Sequence, residues 1–198
     1  MFSDFFDDIS QSKDTFDLPV FTDSIELVAL YDNKIIGLLD IGIYTKEISQ
    51  KYLYYPADSV AYFSNFAIHP DYQGLKIAQQ LFDVAKEQLI QKQMDVLAVF
   101  TRSDGPANHL YQKWGAELIA KNYLVLGIAK NEKESVKLSV DKGKKQLIVT
   151  HPHGEIANYY KRDGVYLVTK EEDLALFDAH KIIPEYSYIL KINSTSKK

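Results

Sequence analysis

The chain has 198 residues, of which 46% are hydrophobic and 13% aromatic, so it can bury a substantial core and is not disordered throughout. It contains no cysteine, which excludes disulfides, thiolate metal ligands and a cysteine nucleophile and fits a cytoplasmic location. The net charge of −4 argues against a nucleic-acid partner. There is no run of about 18 apolar residues, and the first residues lack the order of a signal peptide, so we expect no membrane partner.

Acidic residues concentrate in the first 26 residues, where Lys13 is the one basic residue. This charge pattern has two interpretations. It forms a solvated acidic face, or it creates a field that attracts a cationic substrate.

The first part of the chain predicts a hairpin followed by alternating strands and helices. Within residues 24–44, apolar runs flank Asp32-Asn33, which tolerate the positive φ of a tight turn. Residues 60–68 form a strand pattern that ends at His69-Pro70. The later elements are a helix over 77–90, a strand over 95–101, a helix over 103–115 and one or two strands over 117–128. This order predicts a mixed α/β sheet with a parallel segment in its middle.

Residues 129–135 form a charged stretch that predicts a domain boundary. We therefore expect one domain over 1–128 and a small C-terminal α/β extension of unknown role over 129–198. The extension is predicted to contain a hairpin around 141–143, strands over 146–150, 164–169 and 187–192, and helices near 155–162 and over 170–181.

The loop between the strand ending at Ile68 and the helix beginning at Ile77 has features of an anion site. A helix start carries unpaired N–H groups and the positive end of the helix dipole, which favour phosphate oxygens. Gly74 allows close approach to the backbone, and Ala78 is small. From the loop alone, an anion site and a purely structural turn both stay open.

Two motifs in this region resemble those of the GCN5-related N-acetyltransferases (GNAT). The first, Gln73-Gly74-Leu75-Lys76-Ile77-Ala78, is similar to the family's acyl-CoA-binding pattern Gln/Arg-x-x-Gly-x-Gly/Ala. The second, in "ANHLYQKWGAEL", matches the family's A-x-x-x-Y-x-K-x-G-F ending, with Ala116 in place of Phe; the matching residues are Ala107, Tyr111, Lys113 and Gly115. The resemblance covers about residues 20–128.

The resemblance implies a fold and a co-substrate. The fold is a mixed, mostly antiparallel GNAT-type sheet with a splayed central parallel pair. The co-substrate is acetyl-CoA, with no metal. Its contacts are expected from Phe66, Ala67, Ile68, Gln73, Gly74, Leu75, Lys76, Ile77, Ala78, Asn108, Tyr111 and Lys113.

Lys76 stands where the family motif has its central glycine. We expect Lys76 to serve there with a helical φ, and its ammonium to add a charge-assisted contact to a phosphate. The other outcome is that its side chain crowds the pyrophosphate.

By resemblance, Tyr111 is the general acid that gives a proton to the CoA sulfur. A phenol with a pKa of ~10 is protonated at neutral pH and suits this role. Without the family, Tyr111 would be interpreted as a core residue on one helical stripe with Ala107 and Trp114.

The general base is less clear from the sequence. Many relatives carry a Glu at the position of Ser64, and neither Ser64 nor Asn65 is a competent base. Asp40, which interrupts an apolar run, is the best nearby carboxylate, and Glu26 is the second candidate. A chain of water molecules is the remaining alternative.

The sequence thus predicts an acetyl-CoA-dependent N-acetyltransferase that acts on a primary amine by direct attack. A catalytically silent acyl-CoA-binding regulatory module and a structural module are the alternatives. The acceptor, a small-molecule or peptide amine, is not specified, and a homodimer stays open. His151-Pro152-His153 is interpreted as a loop rather than a metal site, because no third ligand accompanies it.

Overall fold

The computed structural model describes residues 21–47, 49, 55–102, 105–130, 136–162 and 164–192. The strands are β1 (Phe21–Tyr31), β2 (Lys34–Tyr44), β3 (Val60–Ile68), β4 (Val96–Arg102), β5 (Glu117–Ala129), β6 (Lys137–Asp141), β7 (Gln146–Thr150), β8 (Tyr159–Arg162), β9 (Val165–Val168) and β10 (Phe177–Lys191). The helices are α1 (Ile77–Gln91) and α2 (Gly105–Lys113). Two 3-10 helices, Pro70–Tyr72 and Glu171–Leu176, complete the described elements.

The main sheet has eight strands in the order β1-β2-β3-β4-β10-β5-β9-β8, and β6 and β7 form a separate hairpin. Among the described strands of the main sheet, the β3–β4 contact alone is parallel, and the other neighbours run antiparallel. The predicted fold class, a mostly antiparallel GNAT-type sheet with a central parallel pair, is confirmed.

The predicted first hairpin is also confirmed. Asp32 and Asn33 have φ values of 49° and 58°, which a two-residue turn between right-twisted strands requires. The turn joins β1 and β2 in antiparallel register, with Tyr31 opposite Lys34.

Helix α1 joins the two parallel strands and covers one face of the sheet. Its apolar positions repeat at helical spacing, and Leu81, Phe82, Ala85 and Leu89 are buried. The chain leaves the sheet at the end of β3, forms α1 and enters the sheet again as β4. Its first turn therefore lies at the carboxyl end of β3.

Both predicted C-terminal helices are wrong. The segment 155–162 contains a strand, Tyr159–Arg162, that pairs with β9. The segment 170–181 contains a short 3-10 helix, Glu171–Leu176, followed by the first residues of β10, Phe177–Lys191.

The reason for the second error is the position of β10. This strand lies between β4 and β5 and hydrogen-bonds to both, so its backbone groups are satisfied by neighbours far away in sequence. The helical spacing of apolar residues in "DLALFDAHK" contains no information about those distant strands. The boundary predicted near residue 129 therefore does not separate two sheets, because the main sheet is completed by residues 177–191.

The two faces of the main sheet have different coverings. The helix face, defined by Leu39, Phe63, Val99 and Tyr188, packs against α1 and α2. The hairpin face, defined by Ala98, Ala120, Leu124 and Ile189, packs against Leu147 and Val149 of β7. In the described part of the chain, no helix has the length and apolarity needed to cross a membrane.

The position of β10 leads to a prediction about folding. A chain that ends at residue 170 lacks β10 and should not fold cooperatively, because β4 and β5 lose their shared neighbour. Burial of Tyr188, Ile189 and Leu190 is also lost, at about 1.5–3 kcal/mol for each side chain. That sum is comparable to the ~5–15 kcal/mol that stabilises a whole domain.

A chain that ends at Ile192 is the matched control, since it keeps β10 and should melt like the full chain. Thermal melting followed by circular dichroism makes the comparison. A cooperative melt of the 170-residue chain would contradict the central role of β10.

Candidate active site

The loop from residue 73 to residue 78 connects β3 to α1 through two left-handed residues. Gly74 has a φ of +80°, and Lys76 has φ 62° and ψ 13°. The Gln73 side-chain amide donates a hydrogen bond to the carbonyl of Ile68 at 3.3 Å, which fixes the start of the loop against the end of β3.

The φ of Lys76 corrects an expectation. It is not the right-handed helical value; Lys76 takes the left-handed conformation that glycine adopts without strain. For a residue with a Cβ, this conformation is about 1–2 kcal/mol higher in free energy than the right-handed one. The backbone at position 76 therefore has the left-handed conformation typical of glycine, although the residue is Lys.

The first turn of α1 offers backbone donors to a ligand. Lys76 is the N-cap residue, and its side chain makes no capping hydrogen bond to the helix. The N–H groups of Ile77, Ala78 and Gln79 therefore have no partner from a side-chain cap. A Cβ placed on Gly74 would meet no atom within 4 Å, so space is open beside the loop. Uncapped donors next to open space fit the pyrophosphate of CoA.

Strands β3 and β4 separate next to this loop. They pair only from Val60 to Tyr62 on β3 and from Val96 to Ala98 on β4. Beyond that point β3 pairs with β2 alone, so its other edge is open along Phe66, Ala67 and Ile68. An open strand edge can hydrogen-bond to an extended ligand such as pantetheine.

A β-bulge at Ser64 lies at the same point. Asp40 faces Asn65 while Ile41 faces Phe63, so Ser64 is the extra residue on β3. The bulge puts Phe63 and Phe66, three residues apart, on the helix face. Sequence reasoning missed this bulge, and the three-residue spacing of the two phenylalanines was the available signal.

Asp40 lies in a polar row across the first three strands. It faces Glu26 on β1 and Asn65 on β3. The Asn65 side-chain amide donates a hydrogen bond to Asp40 Oδ2 at 3.2 Å. The structure therefore places the predicted base at the bulge, on the hairpin face, and places Glu26 one strand further from the β3–β4 opening.

Tyr111 on α2 is buried in an aromatic cluster on the helix face. Its ring centroid lies 5.8 Å from that of Phe63 on β3, 5.8 Å from that of Trp114 and 6.4 Å from that of Tyr188 on β10. Because β4 lies between β3 and β10, the ring sits over β4 beside the point where β3 and β4 separate. This position is compatible with both the acid role and the core role.

Trp114 ties α2 to the start of α1. Its ring stacks on Phe82 with centroids 4.1 Å apart, and its Nε1–H donates to Gln79 Oε1 at 2.9 Å. This contact brings the C-terminal end of α2, which carries the exposed Lys113, to the first turn of α1. At the other end of α2, the Asn108 side-chain amide donates to the carbonyl of Arg102 at 3.2 Å.

The histidines do not form a metal centre in the described residues, since no group of three or more metal-ligating side chains lies together there. His151 and Gly154 form a turn closed by a backbone hydrogen bond of 2.9 Å. His69 accepts a hydrogen bond from the backbone N–H of Asp71 at 3.3 Å.

The family of the chain follows from its sequence. Residues 1–116 match the model of the Acetyltransferase (GNAT) family, so the chain belongs to this family. No curated protein matches the chain in sequence.

Solved structures similar to the chain include several acetyltransferases. The ribosomal-protein-S18-alanine N-acetyltransferase from Escherichia coli is 11% identical, with a TM-score of 0.48 over 88% of this chain and 73% of that chain. A GNAT family acetyltransferase from Elizabethkingia anophelis with acetyl-CoA bound is 14% identical, with a TM-score of 0.41 over 83% of this chain and 73% of that chain. An N-acetyltransferase from Staphylococcus aureus Mu50 is 13% identical, with a TM-score of 0.46 over 84% of this chain and 66% of that chain.

The left-handed φ of Lys76 leads to a prediction. Replacing Lys76 with Gly should raise the free energy of unfolding by about 1 kcal/mol, because glycine takes this φ without strain. Lys86→Gly is the matched control, since Lys86 is exposed in the right-handed middle of the same helix. The control should lower stability by about 1 kcal/mol. Urea denaturation measures both, and a loss of stability in Lys76→Gly would show that the left-handed conformation is wrong.

Proposed function

We propose that this protein transfers an acetyl group from acetyl-CoA to a primary amine by direct attack. The observation that carries the proposal is the loop 73–78, where two left-handed residues lead into an uncapped helix start next to open space. Membership of the family supports acetyl-CoA as the co-substrate.

The residues of the loop and of β3 bind and orient the co-substrate. The N–H groups of Ile77, Ala78 and Gln79 hold the pyrophosphate oxygens, and the open edge at Phe66 to Ile68 holds the pantetheine arm. Acetyl-CoA, when bound, supplies the acetyl group as a thioester, whose C–S bond breaks while the amine nitrogen forms the new C–N bond. Orientation of the two reactants can contribute roughly 7–11 kcal/mol to lowering the barrier.

Two residues are proposed to move protons. Tyr111 holds a phenolic proton and delivers it to the departing sulfur, since a phenol is protonated at neutral pH. Asp40 accepts the proton that the amine loses, and Asn65 orients its carboxylate through the 3.2 Å hydrogen bond. The products are an amide and a free thiol, and solvent exchange restores both side chains.

A second candidate is a binding module that holds acyl-CoA without turnover. The observation that favours it is the bulge residue Ser64, which gives no carboxylate at the position where many relatives have Glu. Calorimetric binding of CoA together with the absence of product over a broad amine panel would favour this candidate. Turnover of any amine favours acetyl transfer.

The loop assignment is tested with Gly74→Val. A branched side chain at a φ of +80° distorts the loop, so acetyl-CoA affinity should fall about tenfold or more, which equals about 1.4 kcal/mol. Gly154→Val is the matched control, because Gly154 has a φ of +93° and equally open surroundings in a different turn. Calorimetry should find the affinity unchanged in the control. Equal affinity in both folded variants would remove the pyrophosphate assignment.

The acid–base assignment is tested with Tyr111→Phe and Asp40→Asn. Tyr111→Phe removes the phenolic hydroxyl and with it the proton, while it keeps the ring, so turnover should fall about 10²-fold with little change in acetyl-CoA affinity. Asp40→Asn should lower turnover by a similar factor at neutral pH. Part of that loss should return at high pH, where the amine gives its proton to solvent. Steady-state rates measured against pH check both.

Tyr188→Phe is the control for the aromatic cluster. Its hydroxyl accepts a hydrogen bond from the Gln112 side-chain amide at 3.2 Å, so the variant should lose about 1 kcal/mol of stability and keep its turnover. If Tyr111→Phe behaves in the same way, Tyr111 is a core residue. If Glu26→Gln carries the loss that is expected of Asp40→Asn, the base is Glu26.

A further inference from the structure

An apolar groove lies between β1, at the edge of the main sheet, and the first half of α1. Lys92, just after α1, forms an ion pair with Asp23 near the start of β1, so the helix and the strand run in opposite directions. The groove opens at the other end, between the end of β1 and the start of α1, and has a volume of about 700 Å³. Its lining includes Leu27, Ala29, Leu75, Ile77, Leu81 and Val84.

The side chains of β1 that face α1 become more exposed toward the end of the strand. Ile25 is 1% exposed, Leu27 and Ala29 are half-buried, and Tyr31 is 62% exposed. These alternate residues share one face of the strand. On the other wall of the groove, Leu75 is exposed as well. Contiguous exposed apolar surface of this kind is typical of a contact surface.

The backbone of β1 is open on the same side of the sheet. This strand is the first in the sheet order and, in the described part of the chain, it pairs with β2 alone. Native proteins often cover such an edge with a helix or a loop, because its unpaired N–H and C=O groups can pair with another chain. The groove and the open edge therefore call for the same cover.

The residues that precede β1 have the pattern of a segment that fits the groove. Asp4 and Asp7 fall on one side of a helical wheel. Four apolar residues fall on the opposite side: Phe2, Phe5, Phe6 and Ile9. An amphipathic helix binds with its apolar side in a hydrophobic groove.

This segment is tethered close enough to reach the groove. Residues 10–20 number eleven, as many as β1 contains, so at about 3.3 Å per residue they can span the whole length of that strand. Residues 2–9 can therefore fold back along β1. A short tether gives a roughly millimolar effective concentration, which favours this segment over a second copy of the chain.

The charges of the segment and of the groove are complementary. Residues 1–20 contain five Asp and one Lys. Lys34 faces Tyr31 across the hairpin turn, and Lys76 lies next to the lining residue Ile77; both lysines are exposed. Asp71 is the acidic residue of the lining. The two lysines outweigh it, so the acidic segment is attracted in a salt-dependent way.

We propose that residues 1–20 bind in the groove between β1 and α1 of the same chain, with the apolar side of residues 2–9 against the groove. The acidic start of the sequence then covers the edge of the sheet. It also packs on Leu75 and Ile77, which belong to the loop that we assign to acetyl-CoA. This inference does not depend on acetyl transfer, and its test needs no substrate.

The test is a cross-link in the full-length chain. Because the sequence has no cysteine, Ser10→Cys and Gln80→Cys introduce its two thiols. Ser10 follows the apolar residues of the segment, and Gln80 is an exposed polar residue of the lining, so neither change removes an apolar contact. A short bis-maleimide should join the two thiols within one chain. Gel mobility and mass spectrometry detect the product.

Two variants of the segment provide the first comparison. Phe5→Ser together with Phe6→Ser removes two apolar contacts, so the rate of cross-linking should fall about tenfold or more. Asp4→Ser together with Asp7→Ser is the matched control, because these residues lie on the polar side. At high salt, where the charge attraction is screened, this control should cross-link at the unchanged rate.

Two variants of α1 provide the second comparison. Val84 and Ile90 are each 46% exposed, but Val84 lines the groove and Ile90 does not. Val84→Asp should therefore lower the rate of cross-linking about tenfold, whereas Ile90→Asp should leave it unchanged. Thermal melting shows whether each variant folds. If Val84→Asp does not fold, the double variant of Phe5 and Phe6 decides alone.

Three results would overturn the proposal. The first is the absence of a cross-link within one chain. The second is a cross-link that joins two chains instead, which would identify a second copy as the occupant of the groove. The third is a rate within one chain that neither the changes at Phe5 and Phe6 nor Val84→Asp lower, which would show that the segment meets Gln80 by random collision.

Discussion

The short parallel contact between β3 and β4 is the constraint on which the site depends. The two strands pair over three residues each and then separate, which leaves backbone groups of β3 without a strand partner in a region that would otherwise be the middle of a sheet. Three features keep the strands apart: the bulge at Ser64 bends β3, β10 pairs with the whole length of β4 on its other side, and the aromatic cluster around Tyr111 fills the helix face. The proposed donor and acceptor groups can meet only because this gap exists.

The central position of β10 connects the last described strand to the middle of the chain. Its residues come late in the described sequence, yet they hydrogen-bond to β4 and to β5. Strand β4 forms one side of the gap. Residues 137–168, which form β6 to β9, are inserted between β5 and β10, and the β6–β7 hairpin covers the hairpin face. The segment beyond residue 129 therefore completes the sheet and covers its hairpin face.

Lys76 is one of five described non-glycine residues with a positive φ, and the others are Asp32, Asn33, Gln93 and Lys145. Lys76, at the start of α1, has a left-handed φ although it is not glycine, which lowers the stability of the fold by about 1–2 kcal/mol. The unpaired amide of Asn122 is a second cost, on the opposite face. Lys76 lies in the loop that follows β3, whereas Asn122 is on β5 and is separated from the gap by β4 and β10.

The local elements and the motif over residues 73–78 could be predicted from the sequence. The turn at Asp32-Asn33, the stripe of α1 and the motif 73–78 all depend on residues close together in the chain, so their patterns are readable. The bulge at Ser64 and the strand identity of residues 177–186 depend on partners distant in sequence, so they became visible only in the folded protein. The same holds for the aromatic contacts of Phe63, Tyr111 and Tyr188, which lie on β3, α2 and β10 and share no sequence motif. Packing and hydrogen bonding across a sheet, unlike helical periodicity, leave no fixed spacing in the chain, and for that reason these contacts could be found only in the folded protein.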